Sequence, residues 1–505
     1  MAIPNKFDKL GNLNPLKKPL TLIAEAANST VKLTCLSETE GNSLPENYQI
    51  KSVVSGLQYK TSKSNGWVNY SLNDTITLLD VNDYVQFRNK ANKLSDHFNT
   101  DHIRFQMTGK INASGNLMSM LNYSNTATNS CFYALFKDCT ALLTPPDLRA
   151  ENCEYDCYDK LFKGCTSLTA VPRLDAKTFT NSGTYQFKQM FFGCTSLTSI
   201  PQNYLPITNI SPGCYYEMFR ECTNIINTCN LPALTAKTVC YYAMFYGCTK
   251  LSSIPSSLPA TNLATNCYQY MFYGCTSLTS VNVNFLPASI LPQGCYAEMF
   301  QNCSNLTNMP NLQNATTLKS DGNAQCYLMF YGCTSLTTVY RLPATTLRSD
   351  CYRGMFYNCS NLTTVPSDML PATILDNACY YTMFCNCNKL TNVPALPATK
   401  MGEGCYREMF SGCSSLTSVP FNLLPATTLT VRCYRGMFYN CSNLTNAPYL
   451  PAETLTAGCY YCMFTNCTNL NTESYAIYLP ADELRSYCYY QMFYRNKSYK
   501  INCWF

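Results

Sequence analysis

Apolar and polar positions repeat along most of this chain at intervals that run from 26 residues (Cys139 to Cys165) to 30 residues (Cys303 to Cys333). From residue 131 onward, Cys-Tyr-x-x-Met-Phe-x-x-Cys-Thr/Ser-x-Leu-Thr-x-x-Pro recurs, followed by Leu-Pro-Ala-Thr-x-Leu. Clear and degenerate copies together predict about 14 coils. One copy cannot bury its own apolar side chains, whereas stacked copies can, so the pattern predicts a solenoid.

Within a copy, Cys, Met, Phe and the second Cys stand at i, i+4, i+5 and i+8. This spacing predicts a short helix with one apolar face and with Tyr i+1 at its edge. Gly or Asn before the second Cys, as in Gly164 and Asn358, predicts a left-handed residue that ends the helix. The segment after the second Cys and the Leu-Pro-Ala-Thr-Thr-Leu segment, as at residues 342–347, predict short strands.

The first part of the chain has a different pattern. Residues 1–19 hold three prolines and predict an extended N-terminal arm. Residues 20–115 alternate apolar and polar positions in short runs, with a hairpin signal at Asn65–Gly66, and predict a small antiparallel β domain. Residues 116–505 are expected to form the solenoid, beginning with an N-terminal capping coil.

The 32 cysteines follow the repeat. Two cysteines eight residues apart on a helix are separated by about 12 Å at 1.5 Å per residue, whereas a disulfide requires Cα atoms within about 7 Å. Equivalent cysteines of neighbouring coils are therefore expected to form two ladders of buried, reduced thiols.

Composition argues against several classes of function. A net charge of +6 with only 13% charged residues argues against a nucleic-acid or membrane-surface partner. An apolar run of 18 residues is lacking, so membrane insertion is not expected. Catalytic motifs and metal-ligand spacings are also lacking, so we expect a protein that is not an enzyme and has no cofactor or metal. Asp101–His102 is expected in a solvated loop.

Tyrosine is in excess, with 39 copies against 2 tryptophans. Many stand at positions i+2 and i+6, which would share an outward face, and arginine takes position i+2 in three later coils. This candidate binding face, the Tyr/Arg surface, comprises Tyr216, Tyr242, Tyr246, Tyr273, Arg353, Tyr357, Tyr381, Arg407, Arg435, Tyr439 and Tyr461. Two interpretations stay open: these rings form a contact surface for protein or glycan, or they cover the ladder edges of a charge-poor surface.

Met-Phe-x-Gly-Cys-Thr-Ser-Leu-Thr with a following Pro resembles the BspA-like leucine-rich repeat, over about residues 116–505. The resemblance implies a solenoid used for adhesion, in bacterial surface proteins and in virion proteins of gut bacteriophages. Because residues 1–18 lack the apolar segment of a signal peptide, we expect the virion version, with a bacterial surface adhesin as the alternative. Other virion proteins would bind the arm and β domain, and a bacterial surface protein or glycan would bind the solenoid. Self-association into a homo-oligomer is left open.

Overall fold

The computed structural model describes residues 14–37, 56–91, 94, 101–180, 183–320, 322–470, 477–496 and 501–503. The chain forms two compact units, Met1–Asn230 and Leu231–Phe505. Most of the predicted arm, residues 1–13, lies outside the described part. Its end forms a 3-10 helix, Pro15–Lys17, which begins where the Asn14 side chain accepts a hydrogen bond from the Leu16 amide.

Antiparallel strands fill the start of the first unit. They are β1 (Leu20–Ala24), β2 (Ser29–Ser37), β3 (Leu57–Thr61), β4 (Val68–Asn69), β5 (Thr75–Leu78), β6 (Tyr84–Asn89), β7 (Asp101–Thr108) and β8 (Ile111–Ser114). One sheet has the order β8-β1-β6-β3-β4 and a second has the order β5-β2-β7. Leu22 lies opposite both Val85 and Ala113, and its side chain is fully buried. The antiparallel strands and the β3–β4 hairpin around Asn65–Gly66 are thus present, whereas the domain boundaries stay predictions.

The prediction that Asp101–His102 lies in a solvated loop is wrong. His102 lies in strand β7 opposite Leu36, and its ring is 7% exposed. The ring packs edge-on against Tyr133 with centroids 5.1 Å apart. Ile103, Phe105 and Met107 form the buried apolar side of β7, so strand alternation places His102 on the other side. It is buried there because Tyr133 packs against it, which the local sequence pattern does not show.

Parallel pairing starts within the first unit. Strand β10 (Leu142–Thr144) pairs in parallel with β8. It thereby adds one parallel strand to the larger antiparallel sheet. A 3-10 helix, Leu117–Leu121, lies between these strands in sequence and is entirely buried. Strands β9 (Thr126–Ala127), β11 (Asn152–Cys153) and β12 (Thr178–Phe179) form a separate parallel sheet with β11 in the centre.

The second unit contains short parallel pairs. Their strands are β13 (Thr235–Ala236), β14 (Asn262–Leu263), β15 (Ile290–Leu291), β16 (Thr317–Leu318), β17 (Thr346–Leu347), β18 (Ile374–Leu375), β19 (Ile477–Leu479) and β20 (Ile501–Cys503). The predicted extended Leu-Pro-Ala-Thr-x-Leu segment is confirmed where Leu347 lies opposite Leu375. The paired strands cover only the last two residues of each segment, and the Thr373 amide one residue earlier also bonds to the Thr345 carbonyl at 3.1 Å.

The predicted short helices are wrong for the described residues, since the Cys-to-Cys segments are runs of tight turns. In residues 351–359, alternate amides bond within the coil to the carbonyl three residues back, as from Met355 to Tyr352 at 3.2 Å. The intervening amides bond to the next coil, as from Phe356 to Met383 at 2.9 Å. Half of the hydrogen bonding in the segment therefore depends on stacking.

A positive φ at every fourth residue produces this run of tight turns. In the same segment Asp350, Gly354 and Asn358 have φ values of 57°, 59° and 59°. A positive φ at the third residue is what a type II turn requires, and it cannot continue a right-handed helix. The left-handed conformation predicted for Gly164 and Asn358 is confirmed, but it closes a turn instead of ending a helix.

Two aromatic rows form the core of the coils. The Phe i+5 rings stack on each other, for example Phe330 on Phe356 at 5.8 Å and Phe356 on Phe384 at 5.6 Å. The Tyr i+1 rings form a second row and are buried, with Tyr352 only 1% exposed, so their predicted position at the edge is wrong. Both units thus carry β-solenoid coils with almost no helix in the described residues. The count of fourteen and the continuity of residues 116–505 stay predictions.

Candidate binding surface

All eleven residues of the Tyr/Arg surface are half-buried. They stand two and six residues after the first cysteine, each directly after a buried residue, Tyr i+1 or Phe i+5. Each side chain thus has one face against its own solenoid and the other toward solvent. The structure leaves their role as a contact surface a prediction.

Tyrosine rings contact each other at the start of the second unit. Tyr246 stacks on Tyr273 with centroids 4.3 Å apart. Tyr242 meets Tyr270 edge to face at 5.4 Å. The sequence pattern missed Tyr270, which stands at i+3 with φ 58°, because that position was assigned to a helix. The rings restrain one another, so they present a surface with little side-chain entropy left to lose on binding.

A half-buried carboxyl group of the next coil is hydrogen-bonded to one of these tyrosines. Burial raises the pKa of Glu298, although its hydrogen bonds with Tyr270 and Gln269 oppose that change. Burial, followed by the same hydrogen bond to Glu298, raises the pKa of Tyr270. The Tyr270 hydroxyl thus stays protonated at neutral pH and donates to this carboxyl group.

Arginine and tyrosine alternate further along the second unit. The Arg353 guanidinium lies 4.7 Å from the Tyr381 ring centroid, and the Arg407 guanidinium of the following coil lies 4.8 Å from it. Arg353 also pairs with Asp350 at 3.1 Å, and Arg407 pairs with Glu408 at 3.2 Å. Their positive charge is therefore largely compensated inside the surface.

Two other tyrosines of the set have different surroundings. Tyr357 stacks on Tyr331 at 5.0 Å. Burial, and then the neighbouring Cys385 thiol, raises its pKa to about 12. Tyr439 is half-buried in the coil of Arg435. The Tyr357 hydroxyl therefore stays protonated near neutral pH and offers a hydrogen bond and ring area instead of charge.

The first unit contributes Tyr216 with lysines as cationic neighbours. Tyr216 meets Tyr185 edge to face at 6.1 Å, and the Lys188 ammonium lies 4.9 Å from the Tyr185 centroid. Below this surface Asp159 is 1% exposed, and burial raises its pKa to about 7, against the opposing charge of Lys160. This carboxyl is a buried titrating group that the sequence analysis did not identify.

The cysteine ladders are structural. Thiols of second cysteines donate to the Phe carbonyl of the preceding coil, as from Cys303 to Phe272 at 3.1 Å and from Cys359 to Phe330 at 3.3 Å. Burial raises the pKa of Cys303 to about 12, which keeps it a thiol. Both ladders are confirmed as buried. Within the described residues, groups of three His, Cys, Asp or Glu side chains able to hold a metal ion are absent.

Comparisons with known proteins add one match. The family model for the BspA type leucine rich repeat region matches the chain in six copies, over residues 213–329, 327–471 and 380–500. Comparison with curated proteins finds no match. None of the helices in the described part is long and apolar enough to cross a membrane.

Proposed function

Because the chain belongs to the family of BspA-type leucine-rich-repeat proteins, we propose that it is a non-enzymatic, adhesin-type binding protein. The solenoid of such repeats is typical of proteins that bind and do not catalyse. The observation that carries the proposal is the row of mutually packed, half-buried tyrosines and arginines on successive coils, such as Tyr246 on Tyr273. Tyr and Arg are the residue types enriched at binding hot spots.

The repeated geometry supports adhesion more than tight binding at a single point. Each coil offers a similar small area, so several weak contacts made together gain strength by avidity. The tyrosine hydroxyls and arginine N–H groups suit a protein or glycan surface, which offers hydrogen-bond acceptors beside apolar area.

The N-terminal region is the proposed attachment end, which carries the solenoid on a virion or, alternatively, on a bacterial cell. Exposed apolar side chains in this region support the assignment: Val68 is 47% exposed on the edge strand β4, and Leu79 and Val81 are 53% and 51% exposed. An edge strand with unpaired backbone groups beside apolar side chains is a common docking element.

The adhesion test compares the full-length protein with a variant in which Tyr242, Tyr246, Arg353 and Arg407 are all Ala. The matched control replaces both Phe421 and Tyr449 with Ala. These two residues are an exposed stacked pair outside the Cys-to-Cys segments. Fluorescently labelled proteins are titrated onto bacterial cells. We expect the quadruple variant to lose binding while the control keeps it. Equal binding by all three proteins would show that this surface is not the contact.

The attachment end is tested in the intact chain, because a cut near residue 122 would separate β10 from its partner β8. Photo-cross-linkers at Val68 and at Tyr246 are compared by mass spectrometry of purified virions and of isolated cell envelopes. We expect Val68 to cross-link to proteins of the parent particle or envelope. Cross-links to those proteins from Tyr246 alone would reverse the polarity. The sample that contains the chain decides between virion and cell surface.

A further inference from the structure

The last coils of the second unit contain a cavity of about 370 Å³ that the repeat pattern does not predict. Arg432, Arg435, Gly458, Tyr461, Tyr487 and Tyr490 line it, together with Ala457 and Ser486. Its volume falls within the range of small-ligand sites in proteins.

The same position of three successive coils contributes to the lining of the cavity. Arg432, Gly458 and Tyr487 occupy the same position in three successive coils, one residue before the first cysteine, with φ values of 55°, 62° and 56°. The outer two carry long side chains and the middle one carries none. A Cβ atom on Gly458 would make ordinary contacts with Cγ of Arg432 at 3.5 Å and Cβ of Tyr461 at 3.8 Å, so a side chain added here fits beside these two cavity-lining residues.

Stacked tyrosine rings form one wall of the cavity, and an arginine guanidinium lies over one of these rings. The guanidinium of Arg435 lies 4.6 Å from the Tyr461 centroid, and Tyr490 stacks on Tyr461 at 5.4 Å. Tyr487 meets Tyr490 edge to face at 5.6 Å, and the two residues are 67% and 48% exposed. A guanidinium held over a ring loses part of its side-chain freedom, so less entropy remains to be lost when its N–H groups bind a ligand.

The charge of the cavity is not compensated as it is elsewhere on this surface. Arg353 and Arg407 have acidic partners, whereas Arg435 has none within 4.0 Å among the described residues. Arg432 has only a long, exposed pair with Glu403 at 3.5 Å. Among the described residues that line the cavity, none is acidic.

We propose that this cavity, the Arg435 pocket, binds a carboxylated sugar residue of a surface glycan. The carboxylate would accept hydrogen bonds from Arg435 and Arg432, and the apolar face of the sugar ring would pack on the exposed tyrosine rings. The lining has no acidic side chain to accept hydrogen bonds from a neutral sugar and, apart from Ala457, no aliphatic side chain to hold an apolar peptide anchor. This proposal rests on the proposed adhesive function and names a ligand class for it.

The test titrates the full-length protein with trigalacturonic acid and sialyllactose as carboxylated probes, by isothermal titration calorimetry. Lactose and a carboxyl-reduced trigalacturonic acid are the neutral probes, and hexaglutamate is the peptide probe. We expect at least one carboxylated sugar to bind about tenfold more tightly than its neutral counterpart and than hexaglutamate, since a hydrogen bond to a charged group contributes that much. The affinity should fall as salt is added.

Paired variants locate the binding site. Arg435→Met and Gly458→Asn should each weaken the carboxylated sugar about tenfold or more, since Asn accepts a positive φ and fills the space. Arg341→Met and Gly404→Asn are the matched controls in earlier coils. The Arg341 side chain is 50% exposed beside Asp368, and a Cβ on Gly404, which has φ 62°, would meet only Cβ of Arg407, at 4.0 Å. Both controls should bind as the unmodified protein does.

Three results would overturn the proposal: neither carboxylated sugar binds, hexaglutamate binds more tightly than both, or the controls weaken binding as much as their partners do. The failure of the adhesive function is a separate result. If Gly458→Asn leaves cell binding intact while the Tyr242/Tyr246/Arg353/Arg407 variant abolishes it, adhesion stands and the Arg435 pocket is not its site.

Discussion

Replacing Phe356 with Ala removes a fully buried ring from the middle of the Phe row. The ring lies between Phe330 and Phe384, at centroid distances of 5.8 and 5.6 Å. Truncation of a buried Phe costs about 3–5 kcal/mol through lost transfer energy and the cavity that remains. Two lost ring contacts, worth about 0.5–1.5 kcal/mol each, favour the upper part of that range.

The loss should stay local. Coils of a solenoid contact only their neighbours, so the coils of Phe330 and Phe384 should lose protection while distant coils keep it. The adjacent Tyr357→Ala is the control, because Tyr357 is half-buried and stacks on Tyr331. It should cost about 1–2 kcal/mol, as expected for a partly exposed ring.

Urea denaturation measures the difference in unfolding free energy, and hydrogen exchange with mass spectrometry locates it along the chain. A loss below about 1 kcal/mol for Phe356→Ala would show that the ring is not in the core. Equal loss of protection in all coils of the second unit would refute the nearest-neighbour reasoning. So would a larger loss for Tyr357→Ala than for Phe356→Ala.

The remaining predictions concern buried polar groups. Cys303→Ala should lower the unfolding free energy by about 1–2 kcal/mol, because it removes the hydrogen bond to the Phe272 carbonyl. Cys303→Ser should lower it by less, since a hydroxyl can donate the same bond. Urea denaturation compares the two variants, and equal losses would contradict the contribution of this bond. Asn392→Ala removes both bonds to the Val365 backbone and should cost about 1–3 kcal/mol by the same assay, whereas no loss would contradict their contribution. Asp159 has a raised folded pKa of about 7, so its stabilising contribution is present below pH 4 and is lost as the pH rises through 7. Thermal denaturation at pH 5 and pH 8 should show Asp159→Asn with a smaller decrease than the unmodified protein, and an unchanged decrease would contradict this assignment.

The repeat in the sequence determined which side chains form the core. Cys, Met and Phe at i, i+4, i+5 and i+8 are buried as predicted, for example Met355 and Phe356 at 0% exposure. The buried cysteine ladders and the extended Leu-Pro-Ala-Thr-x-Leu segments also followed from the pattern. These features depend on which residues are apolar and how far apart they stand, and a sequence shows both directly.

The backbone course was decided only by the stacked coils. An α-helix and a row of four-residue turns bury the same spacing of positions, so periodicity alone does not distinguish them. The distinguishing signal is Gly354 together with Asn358, since two residues suited to a positive φ four apart disfavour a helix. The turns hold because alternate amides bond to the next coil, which a single copy of the repeat lacks.

The candidate site was likewise determined partly by the sequence and partly by the tertiary structure. The sequence placed Arg435 and Tyr461 on one outward row, which the structure leaves half-buried. It did not show that Arg432, Gly458 and Tyr487 line one cavity, because these residues lie in three different coils and meet only when the coils stack. Burial of Tyr i+1 and of Asp159 has the same origin: each is enclosed by neighbouring coils, and no local pattern records that enclosure.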